Sequence, residues 1–310
     1  MPITIGPGWS IGPGWSLIEP PLPSSQAIFG YGQDMSYNVL SMTNLVSNTG
    51  VVSTDTSGVG TARQDLAAAG YGGDKAIFGY GDAGATGEQS LTNLVSNTGV
   101  VGNDVTGVGT ARGRLAAAGY GGDKAIFGYG YSTNGYESLT NLVSNTGVVA
   151  TDTAGVGSVR AYLAAAGYGT DKAIFGYGNN TDKTNLVSNT GVVAADVTGV
   201  GTARQLLAAA GYGGDKAIFG YGSTGSVVSM TNLVSNTGVV GNDVTGVGTA
   251  RSLLAAAGYG TGTAIFGYGT ANGSTGVSMT NLVSNTGVVA SNTTGVGTVR
   301  AGLAAASFSS

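Results

Sequence analysis

Two short blocks recur six times along this chain. AIFGYG begins at Ala27, Ala76, Ala125, Ala173, Ala217 and Ala264, with successive copies 44 to 49 residues apart. TNLVSNTGVV begins at Thr43, Thr92, Thr140, Thr184, Thr231 and Thr280. A GVGTAR, GVGSVR or GVGTVR segment then leads into LAAA and the next AIFGYG. The run LAAAGYGGDKAIFGYG at Leu66–Gly81 reads as a β-hairpin. Its two apolar stretches are too short for helices, and Gly72-Gly73-Asp74 can take the positive φ angles of a tight reversal. TNLVSN and the following VV segment read as two further strands around an Asn-Thr-Gly turn. Each unit is therefore expected to hold four short strands. A four-stranded repeat of this length is the pattern of a propeller blade.

The chain ends carry complementary halves of one unit. The first AIFGYG has no LAAAGY before it, and the last LAAASF, Leu303–Phe308, has no AIFGYG after it. Pairing of Leu303–Phe308 with the strand around Ile28 would complete a sixth unit and leave no open sheet edge. The expected fold is all-β: a six-bladed β-propeller of four-stranded antiparallel blades, spanning 25–310 and closed by pairing the C-terminal strand with the first blade.

The order of elements resembles the Kelch-type propellers, whose repeat runs from an Arg through a small-residue inner strand to a strand ending in a glycine pair. Arg112, Leu115–Tyr120 and Ala125–Gly130 fall in that order. The glycine pair is Gly-Tyr-Gly here, and the Trp of the last Kelch strand is absent. The resemblance covers residues 26–310 and implies a propeller with a variable loop after its second strand.

Composition excludes several kinds of chemistry. There is no cysteine and no histidine, so disulfides, Cys/His zinc sites and a Ser-His-Asp triad are ruled out. Charged residues make up 9% of the chain, with a net charge of −4, which argues against a nucleic-acid partner. No apolar run is long enough to span a bilayer, so membrane insertion is not expected. The N-terminus lacks the charged start and apolar core of a secretory signal. Gly70-Tyr71-Gly72-Gly73-Asp74-Lys75 superficially resembles a phosphate loop, but it leads into a strand, not a helix N-terminus. No carboxylate pair stands out as an acid/base couple. No cofactor and no catalytic residue is expected, and the chain reads as a non-enzyme.

Residues 1–24 differ from the rest. They hold all six prolines and both tryptophans, and IGPGWS is written twice in tandem from Ile5 and Ile11. This segment reads either as a loose leader or as an extended assembly arm. In the second reading Trp9 and Trp15, with Ile5 and Ile11, anchor other protein subunits. Glycine-rich, closely repeated chains with such an arm are similar in style to virion, tail-fibre or appendage components, which makes a virion or extracellular assembly the expected location.

Three features of the repeat bear on function. Arg63, Arg112, Arg160, Arg204, Arg251 and Arg300 recur before the LAAA strand and are expected to ring one channel mouth. They serve either as clamps on the loop between units or as an axial anion site. Asp55, Asp104, Asp152, Asp196 and Asp243, with Asn292 in the sixth copy, offer partners for the clamp. The Phe and Tyr series of AIFGYG reads as packing between blades. The loops at 33–42, 82–91, 131–139, 179–183, 223–230 and 270–279 vary in length and sequence, while the framework hardly does. Loops on a rigid scaffold are where recognition usually sits, though they also drift where nothing constrains them. Tyr37, Tyr131 and Tyr136 are the candidate contact residues there. The expected role is a structural or interaction protein held by its arm. The alternative is a carbohydrate-binding propeller with several equivalent weak sites for surface glycans.

Overall fold

A computed structural model describes residues 25–309. The described chain is all-β, apart from one turn of 3₁₀ helix at Gly84–Thr86. Six three-stranded antiparallel sheets repeat along it. Their first strands are Ala67–Tyr71, Ala116–Tyr120, Ala164–Tyr168, Ala208–Tyr212, Ala255–Tyr259 and Ala304–Ser309. Their second strands carry the AIFG runs, Lys75–Gly79 being typical, and their third strands carry TNLV, as at Thr92–Val95. The expected hairpin is present: Ala67 pairs with Gly79 and Tyr71 with Lys75, and Gly72 and Gly73 turn the chain at φ 65° and 80°.

The two ends of the chain share a sheet. Ala304–Ser309 runs antiparallel to Ser25–Gly30, with Ile28 opposite Ala306 and Gly30 opposite Ala304. Each first strand also lies beside the first strands of the units before and after it. Ala304–Ser309 has Ala255–Tyr259 on one side and Ala67–Tyr71 on the other. The alanines permit this crowding. A Cβ added at Gly70 would come within 3.2 Å of the Ser307 carbonyl oxygen, so the first strands meet almost backbone to backbone.

The fourth strand of each unit is not formed as expected. The segment after the Asn-Thr-Gly turn touches the third strand at two isolated bridges, Val95 with Val101 and Thr92 with Val105. Between them the fully buried Asn93 donates from Nδ2 to the Gly102 carbonyl at 3.1 Å and to Asp104 Oδ1 at 2.9 Å. The side chain takes an acceptor that a regular ladder would use, so the segment bulges away. The turn itself follows the sequence reading: Gly99 sits at φ 79°, and the Val100 N–H donates to Ser96 Oγ at 3.1 Å.

The core lies between units, with one apolar cluster at each junction. Tyr71, Ile77 and Tyr80 of one unit meet Leu115, Phe127 and Val143 of the next. Phe127 lies over Gly79, where an added Cβ would be 2.6 Å from the ring. The large face of each second strand thus seats on the glycine of its neighbour. Burying each Phe ring contributes roughly 1.5–3 kcal/mol. Among the described residues, no helix is long and apolar enough to cross a membrane.

Candidate functional site

The six recurring arginines all lie inside the protein. Arg63 donates to Asn93 Oδ1 at 2.6 Å and to the Thr61 carbonyl at 3.1 Å, and its guanidinium lies 4.9 Å from the centre of the Tyr31 ring. Tyr31 belongs to one unit and Asn93 to the next, so the side chain pins the connecting loop between them. Its carboxylate neighbour is Asp104 of the following unit, at 3.5 Å, and not Asp55, eight residues earlier. Asp104 also accepts from the Thr61 N–H and hydroxyl, at 3.0 and 2.7 Å. Burial works to raise the Asp104 carboxyl, but these bonds and the Arg63 charge hold it below its ordinary value. Burial pushes the stacked Tyr31 phenol up to about 12. The bond to the buried Asn and the stacking on a Tyr ring recur around Arg112, Arg160, Arg204 and Arg300, and the first three of these also lie within 4 Å of an Asp. None of the six lines either of the cavities at the ends of the first strands. The clamp reading therefore accounts for them without an anion ligand.

The junction before the sixth unit departs from this pattern. Asn292 stands where the others have Asp, and Arg251 Nη2 and Asn281 Oδ1, whose counterparts pair at the other junctions, are both buried with no hydrogen-bond partner.

Two mouths open where the first strands begin and end. The mouth at the Gly-Gly-Asp-Lys turns holds a cavity of about 420 Å³, with Tyr71, Tyr120, Lys75 and Lys124 in its wall. Its lysines are paired with the adjacent aspartates, Lys75 Nζ to Asp74 at 2.6 Å and Lys124 Nζ to Asp123 at 3.0 Å. Ser25, the first described residue, lies in the same wall. Trp9, Trp15, Ile5 and Ile11 lie outside the described residues.

The opposite mouth is smaller, about 80 Å³, and is lined by Leu66, Leu115, Leu163, Leu207, Leu254 and Leu303. Just above each leucine stands a residue in the left-handed region: Asp65, Arg114, Tyr162, Leu206, Leu253 and Gly302, at φ 52° to 61°. Their backbones are joined in a cycle of hydrogen bonds of 2.7 to 3.0 Å. This position, two residues after the clamp arginine, is one of the few in the framework that changes in every unit but one. Sequence reasoning passed over it, although its variability inside Arg-x-x-Leu was the signal that marked it.

The variable loops share this end of the sheets. Asp82 bridges to Gln64 and Tyr131 to Gly113, which ties each loop to the segment that carries the left-handed residue. Tyr37 is 81% exposed at the tip of its loop, held by Asp34, which accepts from the Ser36 and Asn38 N–H groups. Tyr131 and Tyr136 are brought together on a small hairpin, with ring centres 5.4 Å apart at 73°. Tyr37 is not part of that group. The Arg114 guanidinium lies 5.2 Å from the Tyr131 ring and 5.4 Å from that of Tyr162, and its Nε is 3.5 Å from Asp65 Oδ2. Burial raises the Asp65 carboxyl to about 6, against the opposing pull of Arg114. Among the described residues, no group of His, Cys, Asp and Glu is arranged to hold a metal ion. No family model matches the chain, and no curated protein matches it.

Proposed function

We propose that the protein is a non-enzymatic recognition disc: a six-bladed propeller that attaches to a larger assembly through residues 1–24 and presents its variable-loop face to a partner. The cyclic order of first-strand neighbours and the sheet shared by the two ends support the closed propeller. The bulged fourth segment would be the outer edge of each blade, and the Kelch-like residue order belongs to the same proposal.

One observation carries the functional reading. The connections that vary most in length and sequence sit at one end of the sheets, while Ser25 lies at the other. A disc tethered on the Ser25 side leaves its variable-loop face free. The clamp arginines and inter-unit aromatic pairs make the scaffold rigid, and binding loops are commonly carried on such a scaffold.

A loop exchange tests this. Replacing 131–139 with the shorter 179–183 loop should leave the circular dichroism spectrum and the melting temperature unchanged, since a recognition loop does not carry the fold. A large drop in melting temperature would show that the loops are structural and would remove the reading. A parallel comparison of the full chain with a variant lacking residues 1–24, by light scattering, should show self-association or co-assembly only for the full chain.

A further inference from the structure

The geometry points to a single binding site for a neutral sugar ring, formed by Asp65, Arg114, Tyr131, Tyr136 and Tyr162 at the rim of the leucine-lined mouth. This rests on the reading of the variable face as the recognition face.

The starting observation is Arg114. Its guanidinium makes no hydrogen bond among the described residues, although its side chain is only 28% exposed and its Nε is buried. Two tyrosine rings, at 5.2 and 5.4 Å, hold the group in place. A planar guanidinium held against two aromatic rings is a preorganised donor fork. Asp65 beside it supplies the matching acceptors, and its side chain is 14% exposed.

The loop that completes the site is ordered by its own bonds. Ser132 Oγ donates to Glu137 Oε1 at 2.6 Å, the Asn134 N–H donates to Ser132 Oγ at 3.0 Å, and Tyr131 exchanges backbone hydrogen bonds with Gly113, next to Arg114. Tyr136 stands edge-on to Tyr131, whose own ring meets Arg114, and is 50% exposed, which leaves aromatic surface open on that side of the group.

Charge selects the ligand class. Asp65, Asp82 and Glu88 all act on Arg114, so negative charge is in excess and an anion is disfavoured. A cation is disfavoured too, because Arg114 already brings its positive charge to both rings. A neutral ring with adjacent hydroxyls satisfies both partners at once: one hydroxyl accepts from the guanidinium and its neighbour donates to the carboxylate. The apolar face of the ring then stacks on Tyr136.

The site exists once per chain. Where Tyr131 stands, the other units have Gln33, Asp82, Asn179, Ser223 and Thr270, and where Arg114 stands they have Asp65, Tyr162, Leu206, Leu253 and Gly302. A set of equivalent sites around the disc is therefore not what this geometry supports.

The test uses the full chain with methyl α-glucoside, methyl α-galactoside and methyl α-mannoside, followed by saturation-transfer NMR and titration calorimetry. At least one should bind with millimolar affinity and a stoichiometry of one. Tyr136→Ala and Arg114→Lys should each weaken binding at least about tenfold, with melting temperatures near wild type, and Tyr37→Ala should leave binding unchanged. Tyr136 is exposed, so its variant stays informative if Arg114→Lys misfolds. No binding of any of the three, binding unaffected by Tyr136→Ala, or several sites per chain would each overturn the proposal. Binding of methyl glucuronide alone would overturn the neutral ligand. The loop exchange separates the two failures: if the exchanged chain folds normally and no sugar binds, only the sugar site falls.

Discussion

The backbone N–H of Asp65 donates to the carbonyl of Gly302 at 2.7 Å. These residues lie in the first and the last of the connections that lead into a first strand. Gly302 in turn donates to Leu253, Leu253 to Leu206, Leu206 to Tyr162, Tyr162 to Arg114, and Arg114 back to Asp65. Six units thus share one cycle of bonds, and the left-handed backbone at each position is what turns its N–H toward the preceding neighbour. At the other mouth Gly260 donates to Ser25 and Ser309 to Asp74, each at 3.0 Å or less, which again links the chain ends into the series.

A circular permutant tests this closure. Ser309 and Ser25 stand where Gly72 and Asp74 do in the typical hairpin, so one glycine in the place of Gly73 should join them, with new ends opened between Gly121 and Gly122 and residues 1–24 removed. The permutant should fold with a melting temperature within a few degrees of the unpermuted chain that also lacks 1–24. Aggregation of the permutant alone would show that the seam is not equivalent to the other junctions.

The departure at Arg251 gives a stabilising substitution. Asn292→Asp places a carboxylate where the other junctions have one, next to a buried guanidinium with unpaired nitrogens. Because position 292 is exposed, the gain should be modest, about 0.5–1 kcal/mol. Asp104→Asn should lower stability by a similar or larger amount. Urea midpoints of the two variants should move in opposite directions.

Gly79→Ala tests the seating of the phenylalanines. The added Cβ would lie 2.6 Å from Phe127 Cζ and 3.1 Å from Thr92 Cγ2. Overpacking of this kind costs about 1–3 kcal/mol. Combining it with Phe127→Leu, which removes the clashing atom, should cost less than the sum of the two single changes. A purely additive result would mean that the glycine is needed for something other than room for the ring.

Asp65 gives a pH dependence of defined sign. Its folded value, about 6, lies above its ordinary 3.8, because burial disfavours the charged form. The folded state therefore holds this proton more tightly than the unfolded one. The contribution favours folding fully below the ordinary value and is lost as pH rises through about 6. Asp65→Asn should remove this loss and stabilise the protein at pH 7 by roughly 2–3 kcal/mol, and asparagine suits the left-handed backbone at this position. Asp104 and its repeats, held below their ordinary value, act in the opposite direction and lose their contribution only in stronger acid. Urea unfolding of both proteins between pH 4 and pH 8 should converge at the acid end. Parallel curves would exclude Asp65 as the source.

Much of this molecule was legible in its amino-acid order, because the repeat states the same local answer several times. The Gly-Gly-Asp reversal, the Asn-Thr-Gly turn, the alternation of Phe78 with Gly79 and the half-unit left at each end are all local in sequence, and local geometry follows from them. The fourth strand was misjudged because it depends on where one side chain goes. Asn93 turns inward and takes the Gly102 carbonyl, and no periodicity announces that. The partner of Arg63 is a matter of tertiary placement for the same reason. Asp55 is nearer along the chain, but the connecting loop crosses to the next sheet and delivers the guanidinium to Asp104. The group around Arg114 is the fullest case. Asp65, Arg114, Tyr131 and Tyr162 lie in separate connections, and each is unremarkable alone. They meet only because successive sheets, packed side by side, bring the start of every first strand to one mouth.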